Sequence, residues 1–80
     1  MKVIQIYLKK ESVMSKVVKV IEVLAQSSKS WEDAAQNAIN EASKSVRNIK
    51  SIYIKEKSAK VVDNKIVKYR ITAKISFVID

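Results

Sequence analysis

The reactive side chains of this sequence are few in kind. There are sixteen lysines and arginines and eight aspartates and glutamates, with serines and threonines between them and neither cysteine nor histidine. A serine nucleophile needs a base beside it, and the commonest base is missing. Without thiolate or imidazole the usual transition-metal sites are out of reach as well. Glycine is absent, which excludes the glycine-rich loops that cradle phosphates. Glu32, Asp33 and Asp63 could ligate calcium only by converging across copies of the chain, because no aspartate-rich loop is present. We therefore expect no enzyme, and we assign no metal ligand.

What remains is binding by shape and charge. Along residues 66–79, Val67, Tyr69, Ile71, Ala73, Ile75, Phe77 and Ile79 alternate with Lys68, Arg70, Thr72, Lys74, Ser76 and Val78, as in a strand with one buried face. In residues 49–62, Ile52 and Ile54 belong to the apolar face, so Ser51, Tyr53, Lys55 and Lys57 are expected to point away from it. If the two runs pair about the turn Asp63-Asn64-Lys65, Ser51 and Tyr53 share a face with Arg70, Thr72 and Lys74. Arg70 there has two readings. It clamps or stacks on an anionic or planar ligand, or it is a solvated, salt-bridged sheet residue. The stripe Lys55, Lys57, Lys60, Lys65 and Lys68 supports an alternative function, a basic module for nucleic acid or another polyanion. Fourteen lysines against two arginines, with five aromatics in all, favour a solvated surface over that alternative.

These residues must be positioned by a small framework. Eighty residues make one domain, and 48% apolar content is too high for a disordered chain even at a net charge of +8. A domain this small buries only about 60% of its unfolded surface. With no disulfide available, self-assembly is the expected route to stability. Residues 17–25 (VVKVIEVLA) read as a strand, being rich in β-branched residues. A helix begins at Ser30, where S-W-E-D has the form of a capping box: the hydroxyl serves a free N–H and Asp33 reaches back. Trp31, Ala34, Ala35, Ala38, Ile39, Ala42 and Val46 form its apolar stripe; Lys44 and Arg47 would suit its C-terminal end and Asn48 its stop. The charge is uneven, net −1 over residues 30–48 and net +6 over 49–79. The expected class is α+β, in the order β-α-β-β, with one helix packed on a three-stranded antiparallel sheet. Residues 3–8 (VIQIYL) read as a short additional N-terminal strand. At six residues that run is too short for a signal peptide, which needs roughly 7–15 apolar residues, and nothing approaches the ~20 of a membrane span. A soluble, cytoplasmic chain is expected.

From Met14 onward the sequence resembles the dodecin family, over about 67 residues. The carriers are VVKVIEVLAQSSKSWEDAAQNAI at 17–39, ASKSVRNIKS at 42–51 and KYRITAKISFVID at 68–80. The resemblance divides the chain into an extension, residues 1–13, and a dodecin-like domain, residues 14–80. It implies a β-α-β-β fold whose sheet wraps the helix, and a homododecameric hollow shell. It implies non-catalytic storage or sequestration of riboflavin, FMN or FAD, with coenzyme A or calcium bound by some members. Two positions depart from the flavin-binding pattern. Ser51 stands where those members place the tryptophan that stacks on the isoalloxazine ring, and Arg70 stands where they place a ring-binding glutamine. Ala25 and Gln26 occupy a region where glycine is frequent in the family. The shared face and the resemblance together give a candidate ligand site of Ser51, Tyr53, Arg70 and Thr72 with reduced flavin affinity. Tyr53 could stack in place of the tryptophan, but packing between subunits is the favoured reading of it.

Overall fold

The computed structural model describes residues 17–79. Strand β1 (Val17–Ser27), helix α1 (Trp31–Ala42), strand β2 (Ile49–Val62) and strand β3 (Lys65–Ile79) follow one another. The sheet order is β1-β3-β2, and both pairings are antiparallel. This is the expected α+β arrangement. The strand expected at residues 3–8, and the boundary between residues 13 and 14, lie outside the described residues. Among the described residues, no helix is long and apolar enough to cross a membrane.

The chain's most regular alternation lies in β3, which takes the central position. Its inward residues Ile71, Ala73, Ile75 and Phe77 are buried. Ile75 stands between Ile21 of β1 and Ile52 of β2, and Ala73 between Val23 and Ile54, so the rows of the core run straight across the sheet. Helix α1 lies on this face, with Ala34 packed on Ile71 and Ala73. Alanine on both sides of the contact lets helix and sheet approach closely.

At the start of α1, the Ser30 hydroxyl accepts from the Asp33 N–H at 2.9 Å. The Asp33 carboxylate does not close the reciprocal half of the box. It accepts from the buried Ser27 hydroxyl at 2.6 Å, so the helix start is tied to the end of β1. The helix stops at Ala42, a turn short of Val46. Ser43 donates its hydroxyl to the Asn40 carbonyl at 2.8 Å, the local competition that makes serine a poor helix former. No basic residue therefore falls in the last turn of α1; Lys44 instead pairs with Glu41 at 3.1 Å.

With no glycine, asparagine and aspartate carry the left-handed positions. Asn48 (φ 61°) redirects the chain into β2, and Asp63 (φ 51°) and Asn64 (φ 64°) together make the two-residue hairpin turn between β2 and β3. Positive φ at both central residues is the turn geometry that matches strand twist.

One feature of β2 overturns part of the expected alternation. Ile54 pairs with Ala73 and Glu56 with Thr72, so Lys55 is an extra residue, a β-bulge. Beyond it the phase reverses. Lys57 pairs with Ile71 and therefore lies on the helix side of the sheet, not with Ser51 and Tyr53. A second bulge in β3, at Val67, removes that residue from the regular inward row.

Candidate ligand-binding face of the sheet

The face away from α1 is built in rows read directly from the strand register. Gln26, Arg70 and Ser58 form one row, and Leu24, Thr72 and Glu56 the next. Glu22, Lys74 and Tyr53 follow, then Val20, Ser76 and Ser51. Over the first two rows the twisted sheet forms an open trough of ≈ 860 Å³, whose lining on this face is Leu24, Gln26, Glu56, Ser58, Arg70 and Thr72.

The trough has a mixed character. Leu24 is 81% exposed, a large apolar side chain in water beside a guanidinium. Among the described residues Arg70 makes no ion pair; the two pairs present are Lys44–Glu41 and Lys55–Glu22. The second of these crosses the face from β2 to β1 at 3.4 Å, at the lower edge of the trough. Both its side chains are nearly half exposed, so it contributes at most ~1 kcal/mol.

Of the four site residues expected from sequence, Arg70 and Thr72 fall in the trough. Ser51 and Tyr53 share the face but stand farther along it. Ser51 pairs with Ser76, six residues from Arg70 on β3, a separation of roughly 20 Å at strand rise. The Ser51 and Ser76 hydroxyls lie 2.5 Å apart. Tyr53, 63% exposed, supplies the aromatic surface at that end. Within one copy, then, the four residues occupy four successive rows, with Tyr53 in the row after Thr72, and only the ends of the line, Arg70 and Ser51, are far apart. Leu24, Gln26, Glu56 and Ser58 were not assigned from sequence: the first two depend on the β1–β3 register and the last two on the bulge at Lys55.

Trp31 belongs to the packing of the helix start. Its Nε1 donates to the Ser58 carbonyl at 2.9 Å, and its ring meets Tyr69 edge to face, with centroids 4.9 Å apart. The expected lysine stripe is divided. Lys57 lies over Trp31, Lys55 is paired with Glu22, and Lys60, Lys65 and Lys68 remain on the hairpin arm beyond β1.

The groups that the resemblance implies can be compared with these residues. A flavin ring would meet a serine pair and one tyrosine near Ser51, not a tryptophan. For calcium, no group of three or more acidic side chains gathers among the described residues. Glu32 and Asp33 sit in the first turn of α1 and Asp63 in the hairpin turn. A site using them would need more than one copy.

A single helix packed on a three-stranded antiparallel sheet in β-α-β-β order, with the outer sheet face carrying an open trough, is the architecture of a small binding-protein class. The chain belongs to the dodecin family: the family model described as Dodecin matches residues 17–80. Among solved structures it is similar to the calcium dodecin of Mycobacterium tuberculosis, described as a calcium-chelating immunodominant antigen with a novel calcium-binding site. Identity there is 34%, over 80% of this chain and 91% of that one, with a TM-score of 0.70. The dodecin from Streptomyces davaonensis matches at 24% identity over 82% of this chain and 97% of that chain, with a TM-score of 0.78. A mutant of the T. thermophilus dodecin gives 24% identity, 82% and 98% coverage and a TM-score of 0.79. The last two speak to the fold alone. No curated protein sequence matches the chain. Dodecins are small-ligand-binding, generally non-catalytic proteins that form homo-oligomers.

Proposed function

We propose that this chain assembles in the cytoplasm as a homododecameric shell and stores or sequesters a small nucleotide-like ligand without transforming it. The observation that carries this reading is the trough, in which Arg70 has no ion partner among the described residues and lies in the row next to the exposed Leu24. A guanidinium beside apolar surface suits a ligand that is anionic at one end and planar or apolar at the other. Flavin is held less tightly than a tryptophan-bearing face would hold it, because stacking on each ring face is worth roughly 1–3 kcal/mol for nucleic-acid bases, a fair analogue. FMN, FAD and coenzyme A carry phosphate for Arg70; riboflavin does not. Calcium, if bound, bridges carboxylates of different copies.

The test is one titration series with riboflavin, FMN, FAD and coenzyme A, read by flavin fluorescence quenching and calorimetry, with light scattering on the same samples. The expected result is a multi-chain particle that binds the phosphate-bearing ligands more tightly than riboflavin. A particle near the 9.1 kDa of one chain would remove the shell. Riboflavin binding equal to that of FMN would remove the role of Arg70. Nucleic-acid absorbance that co-purifies with the protein, and is released by salt, would favour the basic-module alternative.

A further inference from the structure

The two outer strands of the sheet are protected very unequally. Strand β2 is interrupted by extra residues at Lys50 and Lys55 and also carries Lys57 and Lys60. Bulges and lysines are the devices that keep an edge from pairing. Strand β1 has neither device over most of its length. It pairs with β3 without a register shift from Val17 to Ser27, and among the described residues nothing pairs with its outer edge. A regular edge of 11 residues is a template for another strand.

Beside that edge, on the helix side, runs a groove of ≈ 500 Å³, walled by Ile21 and Val23 of β1 and by Ala38, Ala42 and Val46. From α1 the groove is lined by Ala38 and Ala42 with Asn37 and Glu41 beside them, and the two alanines leave room for larger side chains. A strand added to the edge of β1 would send every second side chain into this groove.

The chain carries a segment of that kind next to the edge. In residues 3–8, Ile4, Ile6 and Leu8 share one phase of alternation and Val3, Gln5 and Tyr7 the other. Residues 9–16 lie between it and Val17, enough to turn the chain back antiparallel. We propose that residues 3–8 add to the outer edge of β1 of the same chain as a fourth antiparallel strand, with Ile4, Ile6 and Leu8 filling the groove under α1. Strand β2 of a second copy would bring bulges and lysines to the same place. A tethered segment also competes at an effective concentration in the millimolar range. The groove begins at Ile21, so the register that fills it sets Leu8 beside Ile21 and Ile6 beside Val23, and carries Tyr7 and Gln5 onto the open face beside Glu22 and Leu24, widening the face that holds the trough.

The absence of cysteine makes the test clean. In the full chain, Gln5→Cys is combined in turn with Glu22→Cys, Leu24→Cys and Gln26→Cys, oxidised, and weighed after denaturation. Closure of at least one pair within a single chain is expected. Cross-links that only double the mass would assign the edge to a second copy, and no cross-link at all would leave the segment off the edge; either overturns the proposal. Hydrogen exchange supplies an independent reading. In Ile6→Asp the β1 amides should exchange at least about tenfold faster than in the unmodified chain, and in Gln5→Asp they should not. Equal protection in both variants would also overturn it.

Discussion

The ammonium of Lys57 lies 5.7 Å from the centroid of the Trp31 ring, and the same ring donates its Nε1 proton to the carbonyl of Ser58, the next residue along β2. Trp31 thus holds β2 against the start of α1 at two successive positions. The geometry predicts a measurable coupling. A double-mutant cycle of Lys57→Met and Trp31→Phe should give about 0.5–1 kcal/mol between the two side chains. Trp31→Phe alone should cost about 1–2 kcal/mol, from the lost hydrogen bond and the carbonyl left behind. Urea unfolding of the four proteins measures both. Zero coupling would mean that Lys57 is solvated and makes no use of the ring.

That contact also marks where sequence reading stops. The alternation of β3 from Ile71 to Phe77, the Ser30 half of the cap and the alanine stripe as far as Ala42 are local patterns that the structure keeps, whereas Asp33 turns to Ser27 and Val67 leaves its row. The side taken by Lys57 depends on a single extra residue, Lys55, and no local pattern announces a bulge. Leu24 and Gln26 enter the trough only through the β1–β3 register, a relationship between segments more than forty residues apart. The helix end was misplaced because Val46 continues the apolar spacing, whereas Ser43 and Ser45 break the helix before it. Polar residues therefore proved harder to place than apolar ones, since burial does not dictate their side of the sheet.

Ala34 is fully buried against Ile71 and Ala73. Ala34→Leu should overpack this contact at a cost of typically 1–3 kcal/mol. Ala38 borders the groove beside β1 that residues 3–8 are proposed to fill, so in the full chain Ala38→Leu should also overpack, and it should cost less once Ile6→Asp empties the groove. Thermal unfolding of the three combinations decides, and an Ala38→Leu that costs far less than Ala34→Leu in the full chain would mean that the groove stands empty.

Asp63 and Asn64 hold positive φ without glycine. The left-handed region costs an ordinary L-residue roughly 1–2 kcal/mol, and asparagine and aspartate somewhat less. Asn64→Gly should therefore be neutral or stabilise the hairpin by up to about 1 kcal/mol, whereas Asn64→Val should destabilise it by more than that. Denaturant midpoints for both variants check the sign. Equal loss in both would mean that the Asn64 side chain, not its backbone geometry, sustains the turn.

Ser51 and Arg70 share the open face, yet within one copy roughly 20 Å of strand separates them. If the proposed shell holds a flavin as the family resemblance implies, the two positions must meet the same ring from different copies. Ser51→Trp should then raise riboflavin affinity by about one to two decades, through roughly 1–3 kcal/mol of stacking. Arg70→Gln alone should change riboflavin little while weakening FMN, whose phosphate loses its guanidinium. Made together, the two changes should give a riboflavin gain that exceeds the sum of the single effects by at least about 0.5 kcal/mol, because groups that touch one ligand are coupled. Fluorescence quenching across the four proteins supplies the cycle. Strict additivity would show that the two residues serve separate ligands, Ser51 at the Tyr53 end of the face and Arg70 in the trough. Tight riboflavin binding by the unmodified chain would show instead that Tyr53, two residues from Ser51 and 63% exposed, already does the stacking.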